Sequence, residues 1–559
     1  MKGLGKELIS NRKDLSSSSR KKVELALKIH AQGNIKQAII EYKQIISSGI
    51  EDPRVYSALG LISLNNSEVK QAIKYNLKSI DINPKYIHGY LNLGVIFFQI
   101  GNYDEAEKHT RQAIMIDPES TQTYLNLGEI LLKKLELIQA KKEIIKAINL
   151  DKKLVIAYHM LSKILIEDED YLEAEKVLKD VISISPKIPN SYFLLHQLYL
   201  QSGDLNKAKE FLYKTIEIDS EFALAYYSLS RFSNSKKDEV LFDKLLKIDT
   251  NEIKSIKDKI NILFAKSNIF HNRGVYRESA NFLKEANKLK LSIFKSSANQ
   301  LIQIANENLI KTKELKGDQN KTSEEKQECI FIVGMPRSGS TLIESILNSN
   351  QQVTDLGERP LIERSLKRTL TNNKNSKGYK SFYKVYLEER SKFIKSNTIT
   401  TDKYLYNYLY LGNILNSFPY AKVIHSFRHP LDNILSIYKA NFFDGVRFSS
   451  SIEDCARVYV NHIKTIKEYQ KRFPSKIYSL NYDLLVTNPD IEIRKLIKWL
   501  NWEWDDVYLY PQDTDRKIKT ASVLQARSPI NSKSLGGWEK YRDLLKPASN
   551  LLKENNLID

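Results

Sequence analysis

Two cysteines in 559 residues, Cys329 and Cys455, stand apart from each other and from any paired motif. That scarcity argues against a disulfide framework and against a thiolate zinc site. No run of about 18 apolar residues occurs, so no segment reads as a membrane span. The opening stretch, MKGLGKELISNRKDLSSSSRKK, has no apolar core of secretory-leader length. These absences lead to the expectation of a cytoplasmic protein in a reducing compartment. The formal net charge of +19 favours anionic partners, but it does not separate a nucleotide from a nucleic acid or a membrane surface. The length exceeds what one core organises and implies two or more domains.

Residues 1–20 are polar, end in a serine run and are expected to be disordered. A repeat follows. Tyr56, Tyr90, Tyr124, Tyr158, Tyr192 and Tyr226 are spaced by 34 residues, and Ala38, Ala72, Ala106, Ala140, Ala174 and Ala208 keep the same period. Two columns in phase over six units, with Leu93-Gly94 and Leu127-Gly128 after the tyrosines and Pro53, Pro84, Pro118 and Pro186 at the junctions, resemble the tetratricopeptide repeat. Each repeat then implies two antiparallel helices stacked into a solenoid with a concave face. The columns themselves are packing positions and name no ligand. Residues 21–235 are assigned to these repeats. Gly274, Tyr276 and Ser279 repeat the spacing of Gly101, Tyr103 and Ala106, which extends repeat-like helices over residues 236–315. The polar residues 316–327 read as a linker.

From residue 328 to 559 the pattern changes to alternating strands and helices, the mark of an α/β domain with a mainly parallel sheet. Residues 329–333 (CIFIV) form a strand that stops at Gly334, and helical spacing resumes from Ser340. Strand, glycine turn and helix together direct unpaired amides and a helix dipole at one spot, which suits phosphate or sulfate. The loop lacks the Gly-Lys-Ser/Thr ending of a nucleoside-triphosphate site, and Arg337 is its one cation. Residues 422–427 (KVIHSF) and 477–482 (IYSLNY) read as two further buried strands.

Taken in order, Gly334-Met335-Pro336-Arg337-Ser338-Gly339-Ser340-Thr341, Gly357-Glu358, Asp402-Lys403, Arg428-His429-Pro430-Leu431-Asp432 through Ser436, and Tyr482 resemble the sulfotransferases that use 3′-phosphoadenosine 5′-phosphosulfate. The likeness is greatest to the bacterial branch with N-terminal tetratricopeptide repeats and more distant to protein-tyrosine sulfotransferases. The resemblance implies a P-loop-like fold in which Pro336, Arg337, Ser338, Gly339, Ser340 and Thr341 hold the 5′-phosphosulfate. It further implies that Arg428 and Ser436 hold the 3′-phosphate and that Tyr482 lies beside the adenine. Ser522 and Arg527 are assigned to the phosphates from the C-terminal segment, Lys533 is a further candidate there, and Trp538 is its anchor. Glu358 would be the general base, with Lys403 and Arg337 steadying charge during transfer, and no metal taking part. Leu405 stands where the family commonly has proline.

Each residue also has a plainer reading. Glu358 could cap a helix or pair with Arg359, Arg428 could pair with Asp432 one helical turn on, and Tyr482 could be a core residue. A histidine base has no candidate between the loop and Lys403. Most of the tyrosines at 404, 406, 408 and 410 pack against the sheet on this reading and imply no nucleic-acid partner. The expected function is sulfuryl transfer to an acceptor hydroxyl, on protein tyrosine or a glycan, with the concave repeat face recruiting a protein partner or the acceptor. The alternatives are a repeat scaffold with a non-catalytic nucleotide domain and, less compatible with the missing loop lysine, a kinase.

Overall fold

The structure, a computed structural model, describes residues 16–232, 235–313, 328–374, 381–394, 399–442, 445–513, 520 and 522–559. Residues 1–15 of the expected disordered stretch, and all of the expected linker 316–327, lie outside the described residues. Order begins earlier than the sequence suggests. The Ser16 hydroxyl accepts a hydrogen bond from the Ser19 amide and caps the helix Ser17–Ala31. The chain divides into two compact units, Met1–Leu194 and Leu195–Asp559, a division that coincides with none of the boundaries drawn from sequence.

The first unit is a run of helical hairpins such as Pro53–Asn65 with Val69–Ile82, Ile87–Gln99 with Tyr103–Ile116, and Thr121–Lys133 with Leu137–Leu150. Its column alanines are fully buried, because only a methyl group fits where paired helices approach closely. The tyrosine column does more than pack. Tyr90, Tyr124 and Tyr192 donate through their hydroxyls to the carbonyls of Pro84, Pro118 and Pro186, and Tyr158 donates to that of Lys152. Each helix is thereby tied to the turn that precedes it. Pro53 falls outside that column and instead opens the helix Pro53–Asn65, where a missing N–H removes no helical bond.

One more column becomes visible only in the backbone. Gly33, Ser67, Gly101, Leu135, Glu169 and Gly203 share the 34-residue spacing and all have positive φ. Three of the six are not glycine, so closing the hairpin outweighs a left-handed penalty of about 1–2 kcal/mol at each.

The second unit joins helices to a sheet. Its strands are Cys329–Gly334 (β1), Val353–Asp355 (β2), Ile399–Asp402 (β3), Ala421–Phe427 (β4) and Ile477–Asn481 (β5), in the order β2-β3-β1-β4-β5, with every neighbour parallel. β1 is buried along its whole length. On one face, Ile330 and Ile332 pack with Ile343, Ile346 and Leu347 of the helix Ser340–Leu347. On the other, Phe331 meets Tyr386 and Phe418. Strands β2 and β3 carry too little apolar sequence to have been anticipated.

Repeat-like helices form part of the core beside this sheet. Ile260, Leu263 and Phe264 of the helix Ile256–Asn272, and Leu283 and Ala286 of the helix Tyr276–Ile293, share one buried cluster with Leu431, Ile434, Phe448, Tyr459 and Leu544. Polar ties reinforce it: Asn287 Nδ2 donates to Tyr438 O, and the Tyr541 hydroxyl is within hydrogen-bond distance of both Ser279 Oγ and His271 Nδ1. A fragment beginning at Glu328 should therefore expose this cluster and lose its cooperative thermal transition. Phe264→Ala in the full chain should cost about 3–5 kcal/mol. Circular-dichroism melts test both, and a fragment from Glu328 that melts as sharply as the full chain would refute the shared core.

Candidate active site at the carboxyl ends of the strands

Parallel pairing brings the carboxyl ends of all five strands to one edge. Phe331 lies opposite Asp402, Gly334 opposite Ser426, Asp355 opposite Thr401 and Phe427 opposite Asn481. The segments leaving that edge carry Arg337, Glu358, Lys403, Arg428 and Tyr482.

After β1 the backbone turns through Arg337 at φ +67° and Gly339 at φ +102° into the helix Ser340–Leu347. Glycine is required at 339 on two grounds. Its φ is left-handed, and a Cβ would stand 2.2 Å from Cδ2 of Tyr482. Asn433 Nδ2 donates to Pro336 O at 2.9 Å and Ser426 Oγ to Ser338 O at 2.8 Å, which pins the loop from β4 and the helix Pro430–Lys439. The Ser338 hydroxyl is buried and has no hydrogen-bond partner among the described residues. A rigid turn with an unsatisfied donor at a helix start is equipped to receive an anion.

The Arg337 side chain donates through Nε to Ser436 Oγ at 3.2 Å and through Nη1 to Ser522 Oγ. Thr341 Oγ1 lies 3.3 Å from Thr520 Oγ1. Burial, followed by the charge of Arg231, lowers the Arg337 guanidinium to about 10, while the Tyr227 phenol opposes and Arg428 adds to the effect. Burial and then Arg337 and Lys540 lower Lys439 to about 7. These cations repel one another, and a polyanion between them would relieve that repulsion.

Arg428, only 6 % exposed, follows β4. Nη2 donates to Ser534 O at 2.8 Å, the guanidinium lies 5.0 Å from the Tyr482 ring centroid, and Nε has no hydrogen-bond partner among the described residues. Asp432 is 3.7 Å from Nη2, but the carboxylate is chiefly engaged elsewhere. It accepts from the amides of Gly536 and Trp538 at 2.8 and 2.9 Å, and Trp538 stacks on His429. The C-terminal segment is thus fastened beside Arg428. Tyr482 is half-buried at the start of the helix Tyr482–Thr487, with its hydroxyl 3.2 Å from Ser534 Oγ.

Glu358 and Lys403 meet directly. Lys403 Nζ donates to Glu358 Oε1 at 2.6 Å and lies 3.5 Å from Glu344 Oε2. Lys403 and Glu344 have no exposed side-chain surface, whereas Glu358 is 44 % exposed. Glu358 therefore neither caps a helix nor pairs with Arg359, which donates to Leu356 O instead. Its neighbour Asp402 is raised to about 7 by burial, against hydrogen bonds from the Tyr404 amide, Tyr386 and Asn407.

Ser436 is bonded to Arg337 rather than to Arg428. Arg527 Nη2 donates to Gln201 O, in a repeat turn, at 3.0 Å. Lys533 is exposed. Glu344 was missed because its spacing reads as an ordinary helical position, and Asp483, whose carboxylate accepts from the His429 amide, because it follows Tyr482 without a motif. His425 and His462 are buried with their Nε2 atoms 3.1 Å apart, away from any base role.

A glycine turn at a helix start, half-buried Arg337, buried Arg428 and a carboxylate–lysine pair thus gather at the carboxyl ends of a parallel sheet. Residues 329–506 match the sulfotransferase family model, and residues 89–120 and 165–230 match tetratricopeptide-repeat models, so the chain joins a sulfotransferase-family domain to tetratricopeptide repeats. The chain is similar to an uncharacterized protein of Aquifex aeolicus (strain VF5), 33 % identical over 244 residues, covering 40 % of this chain and 32 % of that protein. It is also similar to protein-tyrosine sulfotransferase 1 of Danio rerio, 25 % identical over 37 % of this chain and 65 % of that one. A putative protein-tyrosine sulfotransferase of Caenorhabditis briggsae is 24 % identical over 38 % of this chain and 81 % of its own length. The chain thus spans about a third and about two thirds of the length of the first two relatives.

Gly339→Ala should cost about 1–3 kcal/mol from the strained φ alone, plus the displacement of Tyr482, and a urea titration of the variant measures it. Wild-type stability in that titration would refute the tight turn. A second expectation concerns pH. Burial lowers His425 to about 3 and His462 well below its usual value. Below about pH 6.5 the unfolded chain takes up protons that these folded imidazoles refuse, so stability falls by up to about 1.4 kcal/mol per histidine per pH unit. His425→Gln should flatten the acid side of the stability profile; an unchanged slope would show that His425 titrates normally. Asp402 contributes with the opposite sign, but equally in both proteins.

Proposed function

We propose that the protein transfers a sulfuryl group from 3′-phosphoadenosine 5′-phosphosulfate to an acceptor hydroxyl. The observation that carries this reading is a pair of arginines at the ends of adjacent strands: half-buried Arg337 after β1, beside the buried Ser338 hydroxyl, and buried Arg428 after β4, with that hydroxyl and Arg428 Nε both lacking a hydrogen-bond partner among the described residues. Two such positions suit a ligand with two separated anionic groups, and the second phosphate distinguishes this donor from ATP. Residues 336–341 would hold the phosphosulfate, and Arg428, with Ser436 and Ser522 near the loop arginine, would serve the 3′-phosphate. Tyr482, packed between Gly339 and Arg428, would bound the adenine side.

In the transfer, the acceptor oxygen bonds to sulfur while the bond from sulfur to the bridging oxygen breaks, leaving adenosine 3′,5′-bisphosphate. The donor supplies a sulfuryl group activated by its anhydride to phosphate. Glu358, exposed enough to reach an acceptor and bonded to Lys403, takes the hydroxyl proton. Lys403 and Arg337 stabilise charge on the departing oxygen, which parallels the electrostatic demands of phosphoryl transfer. The expectation that no metal takes part is carried over from the family resemblance.

The similarity to protein-tyrosine sulfotransferases favours a protein tyrosine over a glycan as acceptor. The repeats would recruit that acceptor or a partner protein on their concave face. A cytoplasmic setting agrees with the two buried, unpaired cysteines.

Calorimetry with adenosine 3′,5′-bisphosphate tests the donor. Binding should be clear, Arg428→Ala should weaken it about 10- to 100-fold, and ATP should give the smaller thermal shift. Glu358→Gln should keep the nucleotide affinity while slowing transfer about 10²- to 10⁴-fold. A folded protein that ignores the bisphosphate sinks the reading, and full activity in Glu358→Gln moves the base elsewhere.

A further inference from the structure

The turn between the helices Pro189–Ser202 and Leu205–Ile218 grips a side chain from far along the sequence. Arg527 Nη2 donates to Gln201 O at 3.0 Å. Gly203, at φ +96°, lies so close that a Cβ would stand 2.9 Å from Arg527 Cζ and 3.1 Å from Nε. Leu200 packs on the buried Val523 and Ala526. At the other end of the same short segment, Ser522 accepts from Arg337 and Thr520 meets Thr341.

Between these two attachments lies the helix Val523–Ala526, a single turn. One turn is too short to hold its own conformation, because nucleation fixes several dihedral angles for very few hydrogen bonds. Its direction must therefore come from its ends. The Ser522 end meets Arg337, which is bonded in turn to Ser436, and the Arg527 end meets the repeat. Gly203 is the feature that admits the guanidinium: glycine meets both the left-handed φ and the close approach.

We infer that Arg527 is a positioning residue for donor binding rather than a phosphate ligand, with its anchor in the repeat turn at residues 201–203. By holding one end of the segment, it sets Ser522 against Arg337 and so fixes the direction of the loop cation. This inference rests on the donor reading above. It makes a repeat hairpin part of the machinery that presents Arg337.

The test uses the full chain and four variants: Arg527→Ala, Arg527→Lys, Gly203→Ala, and the double change of Arg527→Ala with Gly203→Ala. Arg527→Ala and Gly203→Ala should each raise the dissociation constant for adenosine 3′,5′-bisphosphate about tenfold and raise donor KM more than they lower kcat. Arg527→Lys should recover part of the loss, since an ammonium can still donate to the Gln201 carbonyl. The double variant should be no worse than the worse single one, because both changes break the same attachment. Without nucleotide, both single alanine variants should speed amide exchange in residues 336–341, whatever the donor proves to be.

If Arg527→Ala weakens binding and Gly203→Ala does not, the guanidinium contacts the ligand directly and the inference is overturned. It is equally overturned if both variants melt earlier yet keep wild-type affinity and wild-type exchange in the loop. Failure of the wild type to bind the bisphosphate would count against the donor assignment instead, and the exchange measurement would still decide the role of Arg527.

Discussion

Parallel pairing of β1 with β3 on one side and β4 on the other is the constraint from which the site follows. Crossover connections bring every strand back in the same direction, so all carboxyl ends open on one edge. The register then determines which side chains meet there. A slip of one residue would exchange Phe331 with Ile330 and Ile332 between the two faces. It would also move Gly334 from its place against Ser426, where a Cβ would lie 2.5 Å from the carbonyl oxygen. The loop of Arg337 is therefore fixed by packing several residues before the chemistry begins.

The edge is electrically uneven. Around β1 and β4 it gathers Arg428 with Arg337 and Lys439, and the charged forms of the last two are opposed by burial and by neighbouring cations. Toward β3 and the segment after β2 it holds Lys403 between two carboxylates, one fully buried and one half-exposed. A buried charge needs a partner or it neutralises. Lys403 has partners, whereas the Arg337 group has hydrogen bonds but calls for an anion. On the proposed function, the unevenness would divide the labour of the site, with one half for the anion beside a half that presents an exposed carboxylate.

Much of this was legible from residues, and the reasons for the gaps are physical. Strands β1, β4 and β5 were readable because buried parallel strands are apolar runs. Val353–Asp355 and Ile399–Asp402 were not, since β2 has three residues and β3 carries two threonines and an aspartate. Those polar groups are buried because partners arrive from elsewhere: Arg390 donates to Thr400, and Tyr386 and Asn407 donate to Asp402. Glu358 and Lys403 were both singled out, but the bond between them was not, because it joins the ends of two unrecognised strands. The alanine and tyrosine columns declared the repeats, while the positive-φ column stayed hidden behind Ser67, Leu135 and Glu169, which do not look like turn residues. Arg527 was read toward the phosphates, and nothing local in the sequence links it to a glycine in the repeats.

The unit that folds is larger than the segment that matches the sulfotransferase family model. Family similarity covers residues 329–506, yet Asp432 holds amides at Gly536 and Trp538, Arg337 is bonded to Ser522, and the core beside β4 includes Phe264 and Leu283. A core position accepts most apolar side chains of suitable volume, so supports of this kind leave no motif in the sequence. In this chain the supports lie on both sides of the motif region, and one of them, the helical hairpins before β1, began as what looks in sequence like a separate recruiting module. Because those hairpins share a core with the helix Pro430–Lys439, whatever binds to them acts on helices that also hold Tyr438.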